Sequence, residues 1–358
     1  MNVLALNAGS TSLKFRFGDV AAPALYEGVA QGFGGRSAQL EIRDASGTVV
    51  EHSGPGTLQE AGLAVLRFIQ SGRAPLGAIG HRFVHGGPDL LAHRLIDPTV
   101  RAQLNDAAAF SPLHNPPALE ILALAQDAFP VTPQVVCLDT AFHATMPEKS
   151  KRFALPRDRL QRGLHRYGFH GLSCESIVRQ LGSPPPRLVI AHLGGGASVT
   201  AVHDGLSVDT TMGLTPDGGV MMQTRSGDLD PGLLLYLLRH GETVDTLEQL
   251  LTKASGIAGV SGHGGDLRDL RAANDRESEL AIEMFTISVA KAVASMGIVL
   301  GGLDMLVFTG GIGEHDKDIR AAVAERIACI GSPMIKVLAA EEEFEISRHT
   351  ARLVGSRQ

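Results

Sequence analysis

The chain has 358 residues, 44% hydrophobic and 20% charged, with a formal net charge of −6. That length favours two domains over one core, the composition is that of a soluble globular protein, and the acidic balance argues against a dedicated nucleic-acid binder. Three cysteines, Cys137, Cys174 and Cys329, stand far apart without CxxC spacing, which suggests neither a disulfide frame nor a zinc site and fits a reducing cytoplasm.

No basic, then apolar, leader opens the chain, so no secretory signal is read there. Residues 3–6 form a short apolar run of the buried-strand kind. After Asn7, Ala8, Gly9, Ser10, Thr11 and Ser12, the residues Leu13, Phe15 and Phe17 alternate with Lys14 and Arg16, which is strand periodicity. A polar loop therefore joins two strands. Gly9 allows close backbone approach, the hydroxyls offer hydrogen bonds and Lys14 adds a charge beyond the turn, which are the parts of a phosphate cradle. The same residues would also make an ordinary polar hairpin. The loop is not a Walker A motif, because no Gly-Lys-Ser/Thr follows and no helix begins there.

Residues 63–70 read as helix, and residues 76–87 as a strand running into a glycine turn. In HNPPALEILALAQ, Asn115 is the expected N-cap, with Pro116 at the first helical position. Residues 134–143, QVVCLDTAFH, are an apolar strand ending at Asp139, and residues 157–171, RDRLQRGLHRYGFHG, a basic stretch near the expected domain junction. Residues 184–205 read as strand, glycine-rich loop, strand and turn. They repeat the plan of the opening, Asn7 answered by His192 and Gly9 by Gly194. The apolar run 292–303 is too short to span a bilayer and reads as the end of a buried helix. Residues 305–327 read as a strand, a glycine loop and a helix starting near Asp316. The alternation of strands and helices makes an α/β protein. Its repeated strand–loop–strand unit suggests two related domains facing each other, each lending a hairpin to one ligand.

The blocks LNAGSTSLKF, GHRFVHGG, PLHNPPALE, LDTAFHATMP, RYGFHGLS, HLGGGASV, VDTTMGLTP, TRSGDLDPG and FTGGIGEH, in this order and spacing, resemble the acetate kinase family of the actin/Hsp70/sugar-kinase superfamily. The likeness runs from Asn2 to about His315, with a shorter echo at the C-terminus. It implies two duplicated RNase H-like (actin-like ATPase) α/β domains with an interdomain cleft. Residues 1–145 plus 345–358 would make the first domain and residues 146–344 the second, nucleotide-binding one. It also implies reversible phosphoryl transfer from ATP to acetate, giving acetyl phosphate and ADP, with Mg2+ (or Mn2+), in a cytoplasmic homodimer that binds no nucleic acid or membrane. Propionate or butyrate as acceptor, and a catalytically silenced homologue, are the alternatives within that reading. An actin- or Hsp70-like switch is the rival of another class, and it gives no reason to keep Arg82, His170 and Arg225 together.

The chemistry asks for the residue types these blocks contain. A short carboxylate is ionised at neutral pH, so the acceptor needs no general base. The task is to bring an anion in line with the anionic γ-phosphoryl group, by positioning and charge neutralisation. The resemblance implies that Arg82 holds the carboxylate or the phosphoryl group. His170 and Arg225 would contact the equatorial oxygens, and His114 would do similar work more weakly. Asp139, which the family treats as catalytic, is expected to orient an arginine or a metal-bound water. Asn7 and Glu342 match magnesium positions, and two ligands suffice for an ion that keeps much of its water. Val84, Leu113, Phe169 and Pro216 would line the acceptor pocket. Nucleotide contacts would come from Lys14, from His192, Leu193, Gly194, Gly195 and Gly196, from Asp266, Leu267 and Arg268, and from Gly311, Ile312, Gly313, Glu314 and His315.

Each charged residue also has an ordinary structural reading: a surface ion pair for Arg82, a helix N-terminus for His170 and His114, a bridge to Asp228 or Asp230 for Arg225, a strand-end cap for Asp139, and a solvated glutamate run for Glu342. Three departures from the family pattern stand out. Gly195 occupies a position where acetate kinases usually carry Asn, His315 replaces a usual Asn, and the segment from His315 to Glu342 is short.

Overall fold

The computed structural model describes residues 1–9, 11–33, 38–72, 74–160 and 163–356. Ser10 of the opening loop, and Gln161 and Arg162 of the basic stretch, lie outside them. The chain divides into two compact units, Met1–Ala141 with Glu341–Gln358, and Phe142–Ala340. Both boundaries fall earlier than the expected 145/146 and 344/345, and Glu342 therefore belongs to the first unit, not the second.

In the first unit, β1 (Asn2–Ala8), β2 (Ser12–Asp19), β3 (Tyr26–Gln31), β4 (Gln39–Asp44) and β5 (Val49–Ser53) run as an antiparallel meander. The helix α1 (Leu58–Ser71) leads to β6 (Ala78–Phe83), and β7 (Arg94–Leu95), α2 (Pro98–Ala107), α3 (Asn115–Ala128) and β8 (Gln134–Leu138) follow. The sheet order is β5-β4-β3-β2-β1-β6-β8-β7. The alternation expected of β2 buries Leu13, Phe15 and Phe17 against Val65, Leu66 and Ile69 of α1 and Ile121 of α3. Each such side chain contributes about 1.5–3 kcal/mol by leaving water.

The second unit carries α4 (Glu148–Lys151), α5 (Gly171–Leu181), β9 (Arg187–Leu193), β10 (Ala197–His203) and β11 (Leu206–Thr210), then α6 (Pro231–Arg239), α7 (Val244–Lys253), α8 (Gly256–Ser261), α9 (Leu267–Ala273) and α10 (Arg276–Leu300). It closes with β12 (Met305–Thr309), α11 (Gly310–His315), α12 (Lys317–Ile327) and β13 (Met334–Val337), before α13 (Glu342–Gly355) returns to the first unit. Its sheet order is β11-β10-β9-β12-β13. This matches β3-β2-β1-β6-β8 strand for strand: the second strand is antiparallel to both neighbours, and the fourth and fifth run parallel to the first. The duplicated α/β plan expected from the two hairpins is therefore present, and Asn7 and His192 occupy the penultimate position of equivalent strands.

Four local expectations are corrected. The N-cap of α3 is His114, without a side-chain cap bond, because the Asn115 amide is used elsewhere. It donates to the His85 carbonyl at 2.8 Å and accepts from the His85 amide at 3.2 Å. The glycine segment after β12 is not a loop but the short helix α11. The apolar run ending at Leu303 belongs to a 25-residue helix, α10, long and apolar enough by composition to cross a membrane. Within its unit α10 packs on β9, β10, α8 and α12, leaving Ile298 80% exposed. In the basic stretch, Arg166 is spent on backbone carbonyls of Thr210, Thr211 and Met212 at 2.8–3.1 Å.

One glycine decides where α13 sits. A Cβ on Gly80 of β6 would lie 2.2 Å from Thr350 Oγ1 and 2.6 Å from Ile346 Cγ2. Only glycine lets α13 lie this close to the sheet, which brings its first turn over β1.

Candidate active site

In the first unit the network begins at Asp139, the residue after β8, whose carboxylate is completely buried. A buried carboxylate must be paired, and Arg82 of β6 supplies the partner. Its Nε donates to both oxygens at 3.1 and 3.0 Å, and its Nη2 to Oδ2 at 2.6 Å. Burial opposes the charge on Arg82, but Asp139 and Glu342 more than offset it, raising the guanidinium above its ordinary value. Burial also pushes the Asp139 carboxyl up, against the pull of Arg82. Two guanidinium nitrogens thus make three hydrogen bonds to the carboxylate. Arg82 Nη1 donates to Asn7 Oδ1 at 3.0 Å, and Asn7 Nδ2 donates to Glu342 Oε2 at 3.0 Å and Glu343 Oε1 at 2.7 Å.

The glutamate run is thus not a solvated face, since α13 turns Glu342 and Glu343 onto the buried Asn7. Burial and neighbouring Glu342 push the Glu343 carboxyl up, while Lys14 and Asn7 pull it down. The two strands joined by the opening loop are present, and Asn7 pairs with Lys14 across the β1–β2 hairpin. The Gly9 amide closes the turn onto the Ser12 carbonyl at 2.8 Å, so it is not offered to an anion as the cradle reading assumed. Lys14 is exposed and, with Glu343 and Phe344, borders a groove of about 700 Å³. Val84 is buried and Leu113 half-buried in this same unit, with His114 capping α3.

In the second unit, His170 is the N-cap of α5 in a left-handed conformation, φ 59°. This conformation is uncommon for a side-chain-bearing residue. His170 Nδ1 meets Ser198 Oγ at 3.0 Å, His192 Nδ1 meets Ser173 Oγ at 2.8 Å, and the two imidazoles stack at 4.1 Å. His143, buried and neutral, holds the Phe169 carbonyl through Nε2 at 2.9 Å, fixing the residue before His170. Arg225 bonds the Pro216 carbonyl at 3.1 Å and pairs with Asp217 at 3.5 Å, while Asp228 accepts from the Gly219 amide and Asp230 caps α6. His170, His192 and Arg225 lie beside the loop between β9 and β10. A Cβ built on Gly196 would lie 3.3 Å from His170 Nε2 and 3.3 Å from Arg225 Nη1. The absent side chain leaves a space the size of one oxygen between two cationic or proton-donating groups.

Beside this loop is a cavity of about 550 Å³. It is lined by Gly194, Gly195, Asp266, Leu267, Arg268, Gly311, Ile312 and His315, all named from the sequence, together with Gln223, Arg271, Asp316, Lys317 and Asp318, which were not. Side-chain hydrogen bonds from Arg268 hold the Asp266 carboxyl down at about 2, and Arg271 pairs with Asp316 at 2.8 Å. His315 Nδ1 donates to the Gly311 carbonyl at 3.0 Å. Two of the expected nucleotide residues have other work. Gly313 is buried against Phe308, Ala191 and Leu193, and Glu314 accepts from the Gly310 and Ala340 amides, both at 3.0 Å. Leu193 is buried in β9.

Cationic side chains converging on a glycine loop, in a duplicated α/β fold, place the chain among the phosphate-transferring kinases. The chain belongs to the acetokinase family, whose sequence profile matches residues 2–350. It is 38% identical to an acetate kinase of Deinococcus radiodurans, over 100% of this chain and 99% of that protein. Among solved structures it is similar to a propionate kinase of Francisella tularensis (34% identity, TM-score 0.91, 98% of this chain and 99% of that one). It is also similar to the acetate kinase of Porphyromonas gingivalis (31% identity, TM-score 0.85, 99% of each chain).

Proposed function

We propose that this chain transfers the γ-phosphoryl group of ATP to acetate, reversibly, as an ATP:acetate phosphotransferase. The observation that carries the reading is the space over Gly196, where His170 Nε2 and Arg225 Nη1 converge. A transferring phosphoryl group spreads its charge over three equatorial oxygens, and donors fixed in advance at that position stabilise it most. An acetate oxygen attacks phosphorus and the bridging oxygen leaves with the bonding electrons on ADP. No proton moves, because acetate is already ionised. Asp139 accordingly has no base role, and its oxygens are occupied in aiming Arg82 at the acceptor. The cavity beside Gly194 and Gly195 takes the nucleotide. Val84 and Leu113 of the first unit, and Phe169 and Pro216 of the second, remain individually proposed acceptor contacts, with His114 a weaker one.

The oxygen donors of Glu342, Glu343 and Asn7 fit a hard cation such as magnesium. Asn7 Oδ1 already accepts from Arg82 and its amide donates to both glutamates, so the cation is assigned to carboxylate oxygens of Glu342 and Glu343. When bound, the ion would neutralise phosphate charge. A cytoplasmic homodimer completes the reading. Leu233, Leu235, Tyr236 and Leu238 of α6, 41–56% exposed, support self-association, and none of the three cysteines is in a disulfide.

Likeness to the Francisella propionate kinase favours propionate as second acceptor. Hydroxamate trapping of acyl phosphate, with ATP and magnesium and with acetate, propionate, butyrate or no acid, tests both readings. Product with acetate is expected, propionate within about tenfold, since one methylene discriminates weakly. Absence of product with every acid would support a silenced homologue instead.

A further inference from the structure

We infer that Gln223 is a nucleotide-binding residue, its carboxamide standing in the space left open by the missing side chain of Gly195 and donating to a phosphate oxygen of the nucleotide. The inference deepens the nucleotide reading of the cavity and rests on it.

A Cβ placed on Gly195 would lie 3.2 Å from Gln223 Oε1 and 3.9 Å from its Cδ. The glutamine head therefore sits over the exposed glycine, its oxygen nearest, and a half-turn of the carboxamide puts the Nε2 donor in that place. Both residues line the 550 Å³ cavity. The position is held by the backbone. The Gln223 carbonyl accepts from the Ala258 amide at 2.9 Å, and its neighbour Met222 accepts from Ile257 at 2.9 Å, at the start of α8. On its other side Gly265 closes against it, where a Cβ would stand 2.8 Å from Gln223 Cβ. The stem is thus packed against Gly265 while the carboxamide reaches Gly195 at the cavity wall, the residue being half-exposed.

Among the described residues the carboxamide makes no hydrogen bond, although nearby Asp266 and Arg268, and Arg271 and Asp316, are committed to each other. An amide with two donors, fixed next to a glycine loop and engaged by nothing, is available to a ligand. The next residue along the loop is Gly196, with His170 and Arg225, so the ligand group nearest Gln223 is phosphate rather than base. The sequence departure at Gly195 then has a structural counterpart: the amide comes from residue 223 instead.

The test is calorimetric binding of ADP with magnesium, and steady-state kinetics, on the full chain. Gln223→Gly is expected to weaken ADP about tenfold or more, the worth of a hydrogen bond to a charged group, with the KM for acetate unchanged. Gln223→Glu, equal in size, places a negative charge beside phosphate and should weaken ADP at least as much while preserving the fold. Gly195→Asn alone should weaken binding, because it collides with Gln223. Gly195→Asn combined with Gln223→Gly should recover most of the loss. Wild-type ADP affinity in both Gln223 variants, or a double variant no better than Gln223→Gly, would overturn the inference. Failure of the unmodified chain to bind ADP would overturn the nucleotide reading itself, and this inference with it.

Discussion

The pair Arg82–Asp139 shows how one residue's environment sets another's role. Asp139 is inaccessible and its acceptor sites are filled by guanidinium N–H groups, so removing Arg82 would leave a buried carboxylate without its counter-charge. Arg82→Ala is expected to cost about 3–5 kcal/mol in stability, the usual penalty for breaking a buried pair, and to abolish turnover. Arg82→Lys should recover part of the stability but not the rate, because an ammonium cannot contact both Asp139 oxygens and Asn7 at once. Urea denaturation alongside activity checks both, and an Arg82→Ala protein as stable as the original would contradict the pairing argument. The charged residues of this network were legible from their blocks. Their connections were not: that Asn7 carries two glutamates depends on a helix from the far end of the chain, and Glu343 looked no different from its neighbours in an acidic run. Arg225 likewise stood out within its block, while its pairing with Asp217 depended on the fold of the loop between them.

At the scale of elements, strands were easiest to read, because β1, β8 and β9 are continuous apolar runs and β2 alternates. Helix ends were harder. Pro116 marked α3 correctly, but the preference of asparagine for N-caps lost to a tertiary demand, the double bond of Asn115 to His85. The run of glycines at α11 hid a helix because its stability comes from Glu314, which bonds the Gly310 amide from four residues on. The largest element-scale consequence rests on Gly80. Gly80→Val would drive α13 from the sheet, at about 1–3 kcal/mol for overpacking, and withdraw Glu342 and Glu343 from Asn7. The expected result is a lower melting temperature together with slower turnover at saturating acetate. Full activity in a Gly80→Val protein would show that α13 need not be seated there.

For the whole molecule, acid stability follows from histidines buried without charge. His81, whose ring donates to Gln134, and His143, in the second unit, are both held at about 4 by burial, below the ordinary 6.5. As pH falls below 6.5 the unfolded chain takes up protons that the folded chain refuses. Stability present above pH 6.5 is thus lost progressively, by about 2 kcal/mol per histidine at pH 5. Urea midpoints between pH 7.5 and 5 should fall accordingly, and a flat profile would contradict the burial of both rings. The duplication is the other property of the whole chain. One strand order is used twice, with Asn7 at the end of one central strand and His192 at the end of the other, so that each unit's loop carries its own polar cluster. The central claim is that a phosphoryl oxygen occupies the space over Gly196. The most direct measurement is the acyl phosphate formation rate of Gly196→Ala, whose added methyl would fill that space at 3.3 Å from His170 and Arg225. The account predicts a folded protein slowed by about a hundredfold or more, the usual scale for losing an oriented donor set. An alanine variant working at the unmodified rate would contradict it.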